Sequence, residues 1–127
     1  MGKPKTTERR RLKRRNLAYY MLVLDASTQQ TIGHLLDITP SGFLMDNQKP
    51  LALEKEFHLR LDTTPDVANK NHITFRARSK WCLHDAVESY LYDIGFSIVN
   101  ITPNDAQIIQ RISEKYAAQD SYSFPWE

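Results

Sequence analysis

The chain has 127 residues, 41% of them hydrophobic, which fits one compact domain able to bury a core without disulfides or a structural metal. One cysteine, Cys82, excludes an internal disulfide framework and suits a reducing compartment. The formal charge of +2 hides an asymmetry: residues 1–15 carry eight Lys and Arg against Glu8 alone, so the remaining body is net acidic.

Residues 1–8, MGKPKTTE, read as a mobile tail, with Gly, Pro and two Thr and no large apolar group after Met1. The arm that follows, residues 9–16, is densely cationic, and its only large apolar residue is Leu12. LAYYMLVL, 17–24, is the longest unbroken apolar run, far too short to span a membrane, and is expected to be a buried strand ending at the turn residues Asp25-Ala26-Ser27. No apolar stretch of signal-peptide type precedes it, so a cytoplasmic protein is expected. TIGHLLDI, 31–38, predicts a second strand that runs into Thr39-Pro40-Ser41-Gly42, where Pro40 cannot donate to a sheet and Gly42 admits a turn or bulge. GFLMD, 42–46, predicts a third strand.

EFHLRLD, 56–62, alternates cleanly, with Phe57, Leu59 and Leu61 on one face. After a polar connection at 63–72, HITFRARSKWC, 72–82, alternates again and places Ile73, Phe75, Ala77 and Trp81 inward. A turn is expected at 83–89 and a last strand at 90–101, with Ile94, Phe96 and Ile98 sharing a face. Thr102-Pro103-Asn104-Asp105 then supplies an N-cap, proline at the first helical position and an acid three residues after the cap. Ile108, Ile109, Ile112 and Tyr116 share a face at helical spacing, so a helix over 103–118 is expected. The tail, 119–127, alternates Tyr122, Phe124 and Trp126 and reads as a segment packing back on the body. Short strands separated by turns and closed by one helix predict a mostly β fold, an antiparallel barrel whose closure removes open sheet edges.

Four histidines at 34, 58, 72 and 84 lack metal-site spacing, and Cys82 with His84 has no second pair to complete a site. No nucleophile elbow or Cys-His arrangement points to an enzyme. Two other constellations carry chemistry. ERRRLKRRN, 8–16, puts six cationic side chains into nine positions. Guanidinium forks grip phosphate, stack on bases and donate to the O6 and N7 edge of guanine. The charge run alone equally describes a solvated basic tail. DITPSG, 37–42, offers a carboxylate that can accept from guanine N1 and N2, a hydroxyl, and a glycine that lets the backbone come close. Alone it is a strand end with a turn.

Together these stretches resemble the PilZ domain, a bacterial receptor module for cyclic di-GMP built on a six-stranded antiparallel β-barrel. The family pairs an Arg-Arg-x-x-x-Arg arm, here RRLKR at 10–14 preceded by Arg9, with an Asp/Asn-x-Ser-x-x-Gly turn, here DITPSG. The resemblance covers about residues 8–118 and implies a domain at 9–118, with the arm at 9–16, the barrel at 17–101 and the helix at 103–118. It implies that Arg10 and Arg14 clasp phosphate and guanine with Arg9 beside them, that Asp37 accepts from a guanine edge, that Thr39 offers its hydroxyl, and that Gly42 fixes the turn. Trp81 matches a strand-end position where the family often places an aromatic near the ligand, while a core role is equally open. Arg11, Arg15 and Ser41 are secondary candidates. Thr39 departs from the usual serine, keeping the hydroxyl but adding a methyl group.

The implied function is that of a cyclic di-GMP receptor, not an enzyme, without a further cofactor or metal. It signals through conformational change to an unidentified downstream protein partner in motility, adhesion or biofilm control. The alternatives are a nucleotide-free adaptor and a nucleic-acid binder acting through the arm; Asp37, which repels polyanions, disfavours the latter. Membrane insertion is not expected.

Overall fold

The computed structural model of the protein describes residues 17–116. Six strands, β1 (Leu22–Asp25), β2 (Thr31–Thr39), β3 (Gly42–Asn47), β4 (Glu56–Asp62), β5 (His72–His84) and β6 (Tyr92–Asn100), precede a helix, α1 (Pro103–Tyr116). The strands close into an antiparallel barrel in the order β1-β2-β3-β6-β5-β4, with β1 pairing to β4 through Leu24–Arg60 and Asp25–Leu59. Closure satisfies both edges of the sheet, which answers the edge problem of a small β protein.

The barrel interior is aromatic at its centre. Phe43 stacks on Phe96 with centroids 4.5 Å apart, and Phe75 and Phe57 meet these rings edge-on at 5.9 and 5.8 Å. Such pairs contribute about 0.5–1.5 kcal/mol each beyond the area they bury. Leu35, Ile38, Met45, Leu59, Leu61, Ile73, Ala77 and Ile94 complete the lining, all essentially inaccessible. Phe57, Leu59 and Leu61 pair with Ala77, Phe75 and Ile73, so the expected inner face of β4 and lower β5 is observed.

Helix α1 packs against β2 and β5 and buries Ile108, Ile109 and Ile112 in the same core. Its start is built as the sequence predicts: Thr102 Oγ1 accepts from the Asp105 amide at 3.2 Å, and Pro103 occupies the position whose amide needs no partner. Asp105 is buried and paired to Lys70 Nζ at 2.5 Å. At the other end the Tyr116 hydroxyl donates to the Asp66 carboxylate at 3.1 Å, and Arg111 Nη1 donates to the Val67 carbonyl at 2.9 Å. The β4–β5 connection is therefore fastened to the helix.

Three expectations about elements need correction. Residues 17–21 are not strand: the Ala18 amide donates to the Tyr116 carbonyl at 2.9 Å, Leu17 and Met21 turn into the core, and Tyr19 and Tyr20 face solvent. A short apolar run cannot by itself distinguish strand from buried irregular chain. Strand β5 continues through Leu83 and His84, because the turn begins at Asp85, whose Oδ1 accepts from the Val87 and Glu88 amides at 2.7 and 2.8 Å. Tyr90 and Leu91 consequently belong to that turn and not to β6. The tail, the arm and helix positions 117–118 lie outside the described residues.

Candidate functional site

A β-bulge decides where Asp37 points. Leu35 pairs with Met45 and Asp37 with Leu44, so Leu36 is an extra residue in β2. Leu35, Ile38, Phe43 and Met45 are fully buried in the core. Two residues beyond an inward Leu35, uninterrupted alternation would send Asp37 inward as well. The bulge turns it outward instead. The residue as a whole remains only 2% exposed, and its Oδ1 accepts from the Ile38 amide at 2.9 Å.

The β2–β3 turn follows directly. Thr39 pairs with Gly42 across Pro40-Ser41. The Thr39 hydroxyl donates to the Gly42 carbonyl at 3.3 Å, accepts from the Ser41 amide at 3.3 Å and lies 3.1 Å from Ser41 Oγ. These are long bonds, so the hydroxyl shapes the turn without being strongly committed to it. Gly42 is buried and pairs with Ser97 on its other side, while the Ile98 amide donates to the Ser41 carbonyl at 2.9 Å. Strand β6 thus holds the turn from beneath.

Trp81 is the main correction at the site. Clean alternation put it inside, but Ser79 pairs with Phe96 and Trp81 with Gly95, leaving Lys80 as an extra residue. Ser79 stays inward, fully buried, and its hydroxyl donates to the Ala52 carbonyl at 2.6 Å. Trp81 is flipped to the outer surface, where it is half-buried across Gly95. The sequence held one hint of this, a glycine within the otherwise alternating YDIGFSI, which marks close approach of another group.

The ladder registers align these residues. Asp37, Leu44, Gly95 and Trp81 form one row on the outer face across β2, β3, β6 and β5; Thr39, Gly42, Ser97 and Arg78 form the next. Three interstrand spacings separate Asp37 from Trp81, about 14 Å along the sheet. Beyond Asp37 lies a third row, in which His34 pairs with Asp46 and Asp46 with Asp93. His34 Nδ1 is 3.6 Å from the Asp46 carboxylate, and Tyr20 stacks on its ring at 4.4 Å. Three carboxylates, Asp37, Asp46 and Asp93, therefore stand on one side of the barrel. Arg78 ends the second row with Nη2 3.3 Å from Glu56 Oε1.

The structure thus brings Asp37, Thr39, Ser41, Gly42 and Trp81 to one face and adds Leu44, Gly95, Ser97 and Arg78, which sequence reasoning did not single out. Arg9, Arg10, Arg11, Arg14 and Arg15 lie outside the described residues. Among the described residues there is no group of three or more His, Cys, Asp or Glu able to hold a metal ion. No described helix is long and apolar enough to cross a membrane.

A family model described as "PilZ domain" matches residues 8–115, most of the chain. No curated protein matches significantly, and no solved structure does.

Proposed function

Since the chain belongs to the PilZ domain family, whose domains are generally cyclic di-GMP-binding effectors, we propose that this protein is a cyclic di-GMP receptor that changes conformation on binding and signals to a downstream protein partner. The observation that supports this reading is the outer-face row with a carboxylate at one end and an indole at the other. A carboxylate accepts from both N1 and N2 of guanine. An indole offers a stacking surface worth about 1–3 kcal/mol per base. A separation of about 14 Å exceeds one base and suits a ligand that carries two.

The phosphates fall to the arm. Arg10 and Arg14, with Arg9 beside them, grip phosphate oxygens and the guanine edge, with Arg11 and Arg15 in support. The three outer-face carboxylates complement the arm's cations, so the arm closes over this side of the barrel when the ligand bridges them, and Leu12 docks there. The change in surface, with no chemical step, is what a partner in motility, adhesion or biofilm control reads.

Calorimetric titration tests the reading. Cyclic di-GMP is expected to bind saturably and more tightly than GTP or cyclic GMP. Arg14→Ala is expected to lose tenfold to a hundredfold in affinity, since a hydrogen bond to a charged group contributes about 1.5–3 kcal/mol. Equal binding of any polyanion, with affinity falling steeply in salt, would instead identify a nucleic-acid-binding arm. No nucleotide binding, with partner capture lost on deleting residues 120–127, would identify an adaptor.

A further inference from the structure

Gly95 is the residue on this face whose lack of a side chain has a visible consequence. It lies between Leu44 on β3 and Trp81 on β5, on the outer side of β6. A Cβ built there would stand 2.3 Å from Trp81 Cε2, 2.4 Å from Nε1 and 2.6 Å from Cζ2. All three atoms belong to the fused ring system, which cannot bend aside as the end of a flexible chain can. The backbone at Gly95 has no positive φ that would itself demand glycine. What the missing Cβ provides is room for the indole to lie across the strand.

We propose that Gly95 is a positioning residue for the ligand site: it lets the Trp81 indole settle against the barrel in line with Asp37, so that the indole can receive the second base of a two-base purine ligand. This rests on the reading of the face as a cyclic di-GMP site and extends it to a residue that touches no ligand itself. Two features of the sequence cooperate here. The extra residue Lys80 turns Trp81 outward, and Gly95 lowers it onto the sheet. With any side chain at 95 the indole must rise or rotate away, and the distance and tilt between it and Asp37 change. The cost falls on ligand binding more than on folding, because the contact is on the outside of the barrel and leaves the Phe43–Phe96 stack untouched.

The test uses the full-length chain carrying Trp126→Phe, so that Trp81 is the only tryptophan emitting. Gly95→Ala is expected to red-shift the ligand-free emission, as the indole leaves its seat, and to weaken cyclic di-GMP binding about tenfold in calorimetry. In a Trp81→Ala background, Gly95→Ala is expected to have no further effect on affinity. Parent-like emission in Gly95→Ala would overturn the positioning role. An equal loss of affinity with and without Trp81 would show that Gly95 acts by another route and would also overturn it. If the parent itself fails to bind cyclic di-GMP, the reading of the face is overturned and the ligand half of this proposal with it, whereas the emission shift still decides whether Gly95 seats the indole.

Discussion

The two halves of the barrel wall are built to different rules. Between β4 and the first half of β5, seven consecutive pairs from Glu56–Arg78 to Asp62–His72 run without a register shift. Inner residues are apolar, and outer ones form exposed ion pairs such as Arg60–Asp62 at 2.8 Å and Arg76–Glu56 at 3.8 Å. Exposed pairs of this kind stabilise by about 0–1 kcal/mol each. Across β2, β3, β6 and the far half of β5, by contrast, the ladder slips at Ile32, Leu36, Lys80 and Val99. The slips at Leu36 and Lys80 follow an inward residue, Leu35 or Ser79, and deliver a functional candidate, Asp37 or Trp81, to the outside. Both halves line the core, and the bulged half also displays side chains that simple alternation would have hidden.

The difference can be broken or sharpened by substitution. Phe43 lies beneath both halves, so Phe43→Ala should destabilise the whole fold by about 3–5 kcal/mol, read as a lowered midpoint in denaturant unfolding; a change below 1 kcal/mol would mean the aromatic cluster is not the shared core. Asp37→Ala should lower cyclic di-GMP affinity by a hundredfold or more, because two charge-assisted hydrogen bonds of about 1.5–3 kcal/mol each are lost. Retained affinity in calorimetry would remove Asp37 from the site. Trp81→Ala should cost about tenfold, in the range of one base–aromatic stack, with Trp81→Phe losing less.

On the regular side, Asp66 has its pKa held below the usual carboxylate value, chiefly by the Thr64 hydroxyl, which outweighs an opposing desolvation, and then by the Tyr116 hydroxyl, its own backbone amide and Lys115. A carboxylate lowered in the folded state stabilises above its unfolded pKa of about 3.9, and that contribution disappears as pH falls through the folded value. The melting-temperature gap between the parent and Asp66→Asn should therefore be steady from neutral pH to about pH 5 and narrow on further acidification. A gap that widens in acid would contradict the assignment. Smallest of all, Arg76→Ala, in the middle of the regular outer face, should leave both nucleotide affinity and stability nearly unchanged.

How much of this was legible in the sequence follows the same division. Strand β4 could be read to the residue, because EFHLRLD alternates and its partner keeps register. Helix α1 was equally plain from Thr102, Pro103 and the isoleucine spacing. Period-2 reading failed where a single extra residue resets it. RSKWC looks like an uninterrupted continuation of β5, and nothing local in it distinguishes an inward Trp81 from an outward one. Only the facing Gly95, in another strand, decides. Likewise LAYYMLVL is apolar or aromatic at every position, so its composition could not reveal that Tyr19 stacks on Tyr116 and Tyr20 on His34 outside the barrel. DITPSG carried its meaning through residue types and spacing, yet that Asp37 shares a row with Trp81 is a property of three ladders taken together.

The most direct measurement follows amide and indole NMR signals during titration with cyclic di-GMP. The account predicts that Asp37, Thr39, Gly42, Gly95 and the Trp81 indole shift together and saturably, while β4, Glu56–Asp62, stays still. Shifts that concentrate on β4 and its partner residues, leaving Asp37 and Trp81 unmoved, would contradict it.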